Sequence, residues 1–338
     1  MEKARGEGEV QTVLGPVKVD DLGIVLPHEH LLGDFRVYFL EPSDPFEKEL
    51  AHQPVSMSNL SWVHSNFDTH SLDNLLVTDE ETAITEAMRF KIAGGSTLIN
   101  LTPNHIGRNP LGLVNIAQST GLNVIMGTAY YVEDAYQPDL NMNSRTKEEI
   151  TEEFVRDIMV GAGDTGVRAG IIGELGCSWP LTENEQKVLQ AAAMAQQHTG
   201  VPISIHPGPS EDAPLEIINV LTDSGADPTR VIMGHVDSTL SSHDMRRKLA
   251  ETGCYLAWDA FGQDGLYPIW RAEIRDQPSD SIRIREIIEL IVEGYLNQIL
   301  ISQDIFVKCM LCCFCGMGHG HILNNVVPLM RQKGVTEE

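Results

Sequence analysis

A His-x-His pair at His28 and His30, a glutamate at Glu174, two further histidines at His206 and His235 and an aspartate at Asp304 are the residues whose types and positions suggest shared chemistry. Imidazole nitrogens and carboxylate oxygens are ligands for divalent transition metals. A single strand histidine is more often a satisfied buried group than a ligand, so the argument rests on arrangement. Each of the six falls at the C-terminal end of a short apolar run. At the end of a strand, the two histidines of H-x-H face the same side and reach one cation, with Glu29 between them pointing away. Burying six polar groups without partners would cost several kcal/mol, and a shared cation removes that cost. Six donors exceed the needs of one tetrahedral zinc, so the count argues for two divalent ions. We assign His28, His30 and Asp304 to the more buried ion, His206 and His235 to the more exposed one, and Glu174 as the bridge. A water would complete the bridge, its pKa lowered enough by two cations to supply hydroxide as the nucleophile.

The elements that must position these residues are apolar runs at 23–30, 96–103, 123–131, 169–176, 202–208, 231–237, 255–261 and 298–304. Amphipathic stretches at 79–93, 146–162, 182–199, 213–224, 242–251 and 280–296 lie between them, and Thr182 with Glu185 has capping-box spacing before a stop at Gly200. Eight runs with helical connections, and a last helix after Gly320, match an α/β fold of the (β/α)8 TIM-barrel type in one domain, 1–338. Residues 1–22 read as a hairpin turning at Gly15-Pro16 and covering the barrel bottom. Residues 39–78 form a long first βα loop suited to a pocket wall.

With 24 Lys+Arg against 48 Asp+Glu the net charge is −24, which excludes a phosphate-tracking surface and argues against nucleic-acid and anionic-membrane partners. No run approaches the roughly 18 apolar residues of a spanning helix, and the N-terminus has no apolar signal core. Four of the six cysteines crowd into Cys309–Cys315, a layout that fits free thiols in a reducing cytoplasm better than disulfides. A zinc site at this C-x-x-C is the lesser reading, because structural zinc usually joins two separated ligand couples.

LPHEH after a basal hairpin, GELG, SIHPG, GHVDST and a terminal SQD resemble the amidohydrolase superfamily, and GIIGELGCSWPLTENE and ILNNVVP resemble its phosphotriesterase-related branch over nearly the whole chain. The resemblance implies a binuclear metal centre, commonly zinc, on the six residues named. Organophosphate-hydrolysing relatives carry a carboxylated lysine where this chain has Glu174, and a histidine after the strand-seven aspartate where it has Ala260 after Asp259. Efficient triester hydrolysis is therefore not expected. The implied reaction is hydrolysis of small N-acyl compounds, with N-acetyltaurine the implied substrate. Asp304 would take the proton of the attacking water and pass it to the leaving amine, with Glu174 also placed in the reaction. The resemblance also implies a further helix beyond Glu338.

Recognition of a substrate anion points to Lys308, with Arg108 the weaker alternative. Tyr130 and Tyr131 end the third run, and one of them should face the mouth. Trp258 is a pocket-wall candidate, with Phe261 beside it. His319 and His321 are assigned to loop positioning, and His52, His64, His70, His105, His198 and His243 to surface or loop roles. The alternatives are a lactonase or phosphotriesterase using the same centre, and a barrel that keeps its metals without turnover. A homodimer is compatible with the chain.

Overall fold

Connections long enough for a helix separate nearly all the apolar runs, which is what parallel pairing requires. A computed structural model describes residues 8–266 and 277–336 of the chain; residues 1–7 of the 1–22 segment fall outside them. The N-terminal hairpin pairs β1 (Glu9–Thr12) with β2 (Gly15–Lys18). Its turn is Val13-Leu14 rather than Gly15-Pro16. Pro16 pairs with Gln11 inside the ladder, a place proline can take in an edge strand. The Thr12 hydroxyl donates to Gly15 O at 2.7 Å, and Val13 N reaches Val124 O at 2.9 Å, tying the hairpin to the barrel. Val10 and Leu22 pack on a small cluster of Leu101, Ile125 and Ile171, the lower plug of the barrel.

The barrel strands are β3 (Val25–Glu29), then, after a small pair β4 (Gly33–Asp34) and β5 (Leu76–Val77), β6 (Thr97–Asn100), β7 (Asn123–Thr128), β8 (Ile171–Gly176), β9 (Ile203–His206), β10 (Val231–Met233), β11 (Tyr255–Trp258) and β12 (Ile299–Ile301). They form one eight-stranded parallel sheet in chain order. No ladder joins β12 to β3. Individual bonds close that seam at its upper end: Asp304 N to His28 O and His30 N to Ile305 O, each 3.2 Å, and His28 N to the Ser302 hydroxyl at 3.1 Å.

The surrounding helices follow the expected stretches, with Thr146 and Thr182 each making a capping box. Helix Pro110–Thr120 is an addition to the stretches named from sequence; Asn109 caps it, and Gly121 ends it in the left-handed region at φ 65°. Residues 280–296 yield a shorter helix, Asp280–Val292, because Gly294 turns left-handed at φ 98°. After Gly320 a π-helical turn, Ile322–Val326, runs into Val327–Gln332. Phe90, Ile116, Phe154, Leu189, Ile217 and Ile287, all essentially inaccessible, join the strands in the main core. Each contributes about 1.5–3 kcal/mol by leaving water.

The first βα loop carries two short helices, Pro45–Ala51 and Leu60–Ser65, and β5 returns it to β4. Its Phe67 and Leu75 pack with Phe35, Tyr131 and Ile305 in a second core above the sheet. Among the described residues, no helix is long and apolar enough to cross a membrane.

A fully buried ion pair ties the ends of β10 and β11 to the helix after β11. Arg283 Nε donates to Asp237 Oδ2 at 2.7 Å, which also accepts from Ala260 N at 3.1 Å. Removing one partner leaves the other charge stranded. Arg283→Met is expected to lower unfolding free energy by about 3–5 kcal/mol in urea titration; a loss below about 1 kcal/mol would contradict this role.

Candidate metal centre

The four imidazoles and three carboxylates at the barrel mouth are placed by strand ends and held by their neighbours. His28 Nδ1 lies 2.8 Å from Asp259 Oδ2, and His235 Nδ1 lies 2.8 Å from Asp259 Oδ1. An ionised carboxylate only accepts, so each Nδ1 carries the proton and each Nε2 is left as a donor of electrons. His30 Nδ1 bonds the Thr102 hydroxyl oxygen at 3.1 Å, while that hydroxyl donates to Leu32 O at 2.9 Å. Its Nε2 is thereby set toward the same space. His206 presents Nδ1, 2.9 Å from Glu174 Oε1 and 2.8 Å from His235 Nε2.

Three clusters of donor atoms have their atoms within 4.8 Å of one another: the hydrogen-bonded trio of His28, His235 and Asp259 just described, and two that face the cavity, His28, His30 and Asp304, and Glu174, His206 and His235. Glu174 spans the latter two, with Oε1 2.9 Å from His235 Nε2 and 3.4 Å from His28 Nε2, and Oε2 3.6 Å from His30 Nε2. Asp304 Oδ1 is 3.2 Å from His30 Nε2 and 3.5 Å from His28 Nε2. Burial alone would raise the carboxyl pKa values. The surrounding imidazoles outweigh it and hold Glu174, Asp259 and Asp304 below the usual carboxylate range, through the charge of His28 and the charge and hydrogen bond of His206 at Glu174, the charges and hydrogen bonds of His235 and His28 at Asp259, and the charge of His28 and the hydrogen bond of His30 at Asp304. The reverse field raises His28 and His235 against their own desolvation.

The donor set fits divalent cations. Three ionised carboxylates face four imidazoles, so positive charge is needed there, and buried His28 Nε2 has no hydrogen-bond partner. Nitrogen and carboxylate oxygen together suit zinc and its neighbours in the first transition row.

The structure therefore brings His28, His30, Glu174, His206, His235 and Asp304 together. The substrate candidates divide. Tyr131 lines the cavity, its phenol oxygen 3.2 Å from His206 Nδ1, and burial raises its pKa well above the ordinary phenol value, so the O–H is a proton donor at neutral pH. Tyr130 points the other way: its hydroxyl donates to Glu153 at 2.9 Å, and its ring stacks on His105. Lys308 pairs with Asp73 at 2.7 Å. Arg108 is tied to Gly127 O and Asp157 at 3.1 and 3.0 Å. Trp258 is buried facing outward, Nε1 donating to Glu286 at 3.1 Å, and Phe261 lies in the core. Period-two alternation explains Trp258, which precedes the inward-reaching Asp259 by one residue. His321 bonds Asp280 at 2.6 Å, and His319 Nδ1 lies 3.2 Å from Glu29 Oε2. All six cysteines are free thiols, and the clusters of potential ligands found among the described residues all lie at the barrel mouth.

Two contributions went unread in the sequence. Asp259 ends β11 as the named ligands end their strands, so its position was a signal. Gly234 makes room for it, since a Cβ there would stand 3.1 Å from Asp259 Oδ2. The cavity wall of Phe35, Tyr38, Phe67 and Phe306 comes from loops and had no periodic signature.

An eight-stranded parallel barrel with clustered histidines and carboxylates at the C-terminal strand ends has the architecture of a metal-dependent hydrolase. The sequence profile of the phosphotriesterase family matches residues 8–338, and the chain belongs to that family. It is 39% identical to an N-acetyltaurine hydrolase of Dictyostelium discoideum and 41% identical to one of Xenopus tropicalis, each alignment covering 98% of this chain and 94% of the relative. A crystal structure of a resiniferatoxin-binding protein from Rhodobacter sphaeroides superimposes with a TM-score of 0.94 at 30% identity, over 100% of this chain and 94% of that one.

His105, expected in a surface or loop role, sits in its loop but is largely buried between the rings of Tyr130 and Tyr136, and both ring nitrogens lack partners. Burial lowers its pKa from 6.5 to about 4. The unfolded chain therefore binds the proton more readily between those values, so stability is full above pH 6.5 and falls as the pH drops toward 4. A loss of about 2–3 kcal/mol is expected over that window. In urea titrations at pH 7.5 and 4.5, His105→Phe should shrink the difference between the two pH values; an unchanged difference would refute this.

Proposed function

We propose that the protein hydrolyses the amide bond of small N-acyl compounds of the N-acetyltaurine kind, with two divalent ions, zinc by donor chemistry, held at His28, His30, Asp304, His206 and His235 and bridged by Glu174. The observation that carries this reading is the convergence of those six side chains at the barrel mouth, where all but His28 line one cavity. The names of the relatives at about 40% identity support the substrate class. When bound, such ions supply Lewis acidity toward a carbonyl oxygen and lower the pKa of water.

The chain's own residues account for the remaining steps. Asp304 is kept ionised, and its side chain is 15% exposed toward the cavity, so it takes a proton from the attacking water and returns it to the leaving nitrogen. Glu174 holds the two donor clusters at fixed separation. Asp259 fixes the tautomer and orientation of His28 and His235. Tyr131 donates a hydrogen bond to a bound carbonyl. Phe35, Phe67 and Phe306 pack on the acyl group and exclude water.

One observation favours a second reading, lactone hydrolysis: among the described residues no lysine or arginine lines the cavity, which suits an uncharged ring. Besides the metal donors, the polar groups lining the cavity are Ser238, Gln263 and Gln277, the phenols of Tyr38 and Tyr131 and the carboxyl group of Asp68. The free thiols support a reducing, cytoplasmic setting. A homodimer remains part of the proposal without bearing on the site.

Purified protein is expected to hydrolyse N-acetyltaurine or N-acetyl amino acids faster than γ-lactones or aryl phosphotriesters; turnover of only the latter two would reject the amidase reading. Asp304→Asn should lower kcat by roughly 10²–10⁴-fold, the usual worth of a positioned acid–base group. Unchanged kcat would remove Asp304 from the reaction.

A further inference from the structure

Glu29, the middle residue of the H-x-H pair, is fully buried and turned away from the metal donors. Its carboxylate straddles Asp304. Oε1 accepts from Gln303 N at 3.0 Å and Oε2 accepts from Ile305 N at 3.1 Å, so the amides on either side of Asp304 are held by one side chain. Ser302 Oγ lies 2.8 Å from Oε1, and His319 Nδ1 lies 3.2 Å from Oε2. Between those amides Asp304 has φ 48°, a left-handed conformation that non-glycine residues seldom adopt. A left-handed residue can turn the N–H groups on either side of it toward one anion, as in a backbone nest; here Gln303 N and Ile305 N do so while Asp304 N donates to His28 O. Here the anion is an internal carboxylate.

We propose that Glu29 is a positioning residue for Asp304: by filling the nest it holds Asp304 in its left-handed turn and sets the carboxylate against His28 and His30. The same strand thus supplies two imidazoles on one face and, on the other, the group that places their partner across the β3–β12 seam. Backbone strain of this kind persists only where surrounding contacts over-determine it. Glutamine in place of Glu29 retains the size but loses the charge, and its amide nitrogen cannot accept from either main-chain N–H. Aspartate keeps the charge but is one methylene too short to span both amides.

The proposal rests on Asp304 taking part in hydrolysis, and the test separates the two. Amide hydrogen exchange on the metal-free protein reads the nest alone: in Glu29→Gln, Gln303 and Ile305 should exchange at least roughly tenfold faster, while amides in β7 and β8 keep their rates. Unchanged exchange at 303 and 305 would overturn the clamp whatever Asp304 does. With zinc restored, Glu29→Gln should lower kcat by roughly ten- to hundredfold with KM within about twofold, as expected for a reacting group displaced by about an ångström. In an Asp304→Asn background the same substitution should cost less than about twofold in kcat, because its effect passes through the missing carboxylate. Losses that multiply in the double variant would mark Glu29 as a general stabiliser and refute the proposal. If Asp304→Asn alone keeps full kcat, the hydrolytic role of Asp304 fails, and the exchange result still decides the clamp. Should Glu29→Gln not fold, Glu29→Asp is put through the same exchange and kinetic measurements with the same outcomes deciding.

Discussion

Glu174 and Asp259 are buried, and Asp304 largely so at 15% exposure, against His28, His30, His206 and His235, and taking such carboxylates out of water costs several kcal/mol apiece unless positive charge accompanies them. The surrounding structure answers that requirement. Asp259 receives the Nδ1 protons of two histidines, which fixes both rings and directs their unprotonated nitrogens inward. Thr102 does the same for His30 with a hydroxyl that adds no charge. What remains at the centre is a set of electron-pair donors with excess negative charge, an arrangement that a pair of divalent cations balances and that imidazolium formation alone would balance only by giving up the free donors.

The barrel pays for access to this cluster in backbone regularity. His235 and Asp304 both adopt left-handed φ, 52° and 48°, where the chain leaves its strand and turns a side chain back over the mouth. The seam between the first and last strands has no ladder, and it closes through main-chain bonds around His28, His30 and Asp304. Closure of the fold and assembly of the site therefore use the same few residues. Just beyond the ligands, Asp237 and Arg283 tie the ends of β10 and β11 to an outer helix, so one buried ion pair braces the two segments bearing His235 and Asp259.

Strand ends were the most legible part of the sequence, because apolar runs that stop at His, Glu or Asp combine two independent signals. That is why the parallel barrel and its six convergent side chains could be read from composition and spacing. Asp259 carried the same signal but was named only as the aspartate that precedes Ala260, with no role given to it. Helix Pro110–Thr120 carries Leu113, Ile116 and Ala117 at helical spacing behind Asn109 and Pro110, a short amphipathic signal that was present in the sequence and left unused. Lys308, Tyr130 and Trp258 were placed by proximity in sequence to the site. Their directions depend on a register of one residue in a strand, or on a distant partner such as Asp73 or Glu286, which local pattern cannot supply.

The most direct measurement is elemental analysis of purified protein after incubation with zinc and gel filtration, set beside the same analysis of His206→Ala/His235→Ala. About two equivalents of zinc per chain are expected, falling to about one in the double variant, as two donor sets joined by one carboxylate require. Less than half an equivalent in the unaltered chain, or an unchanged count in the variant, would contradict a binuclear centre at the barrel mouth.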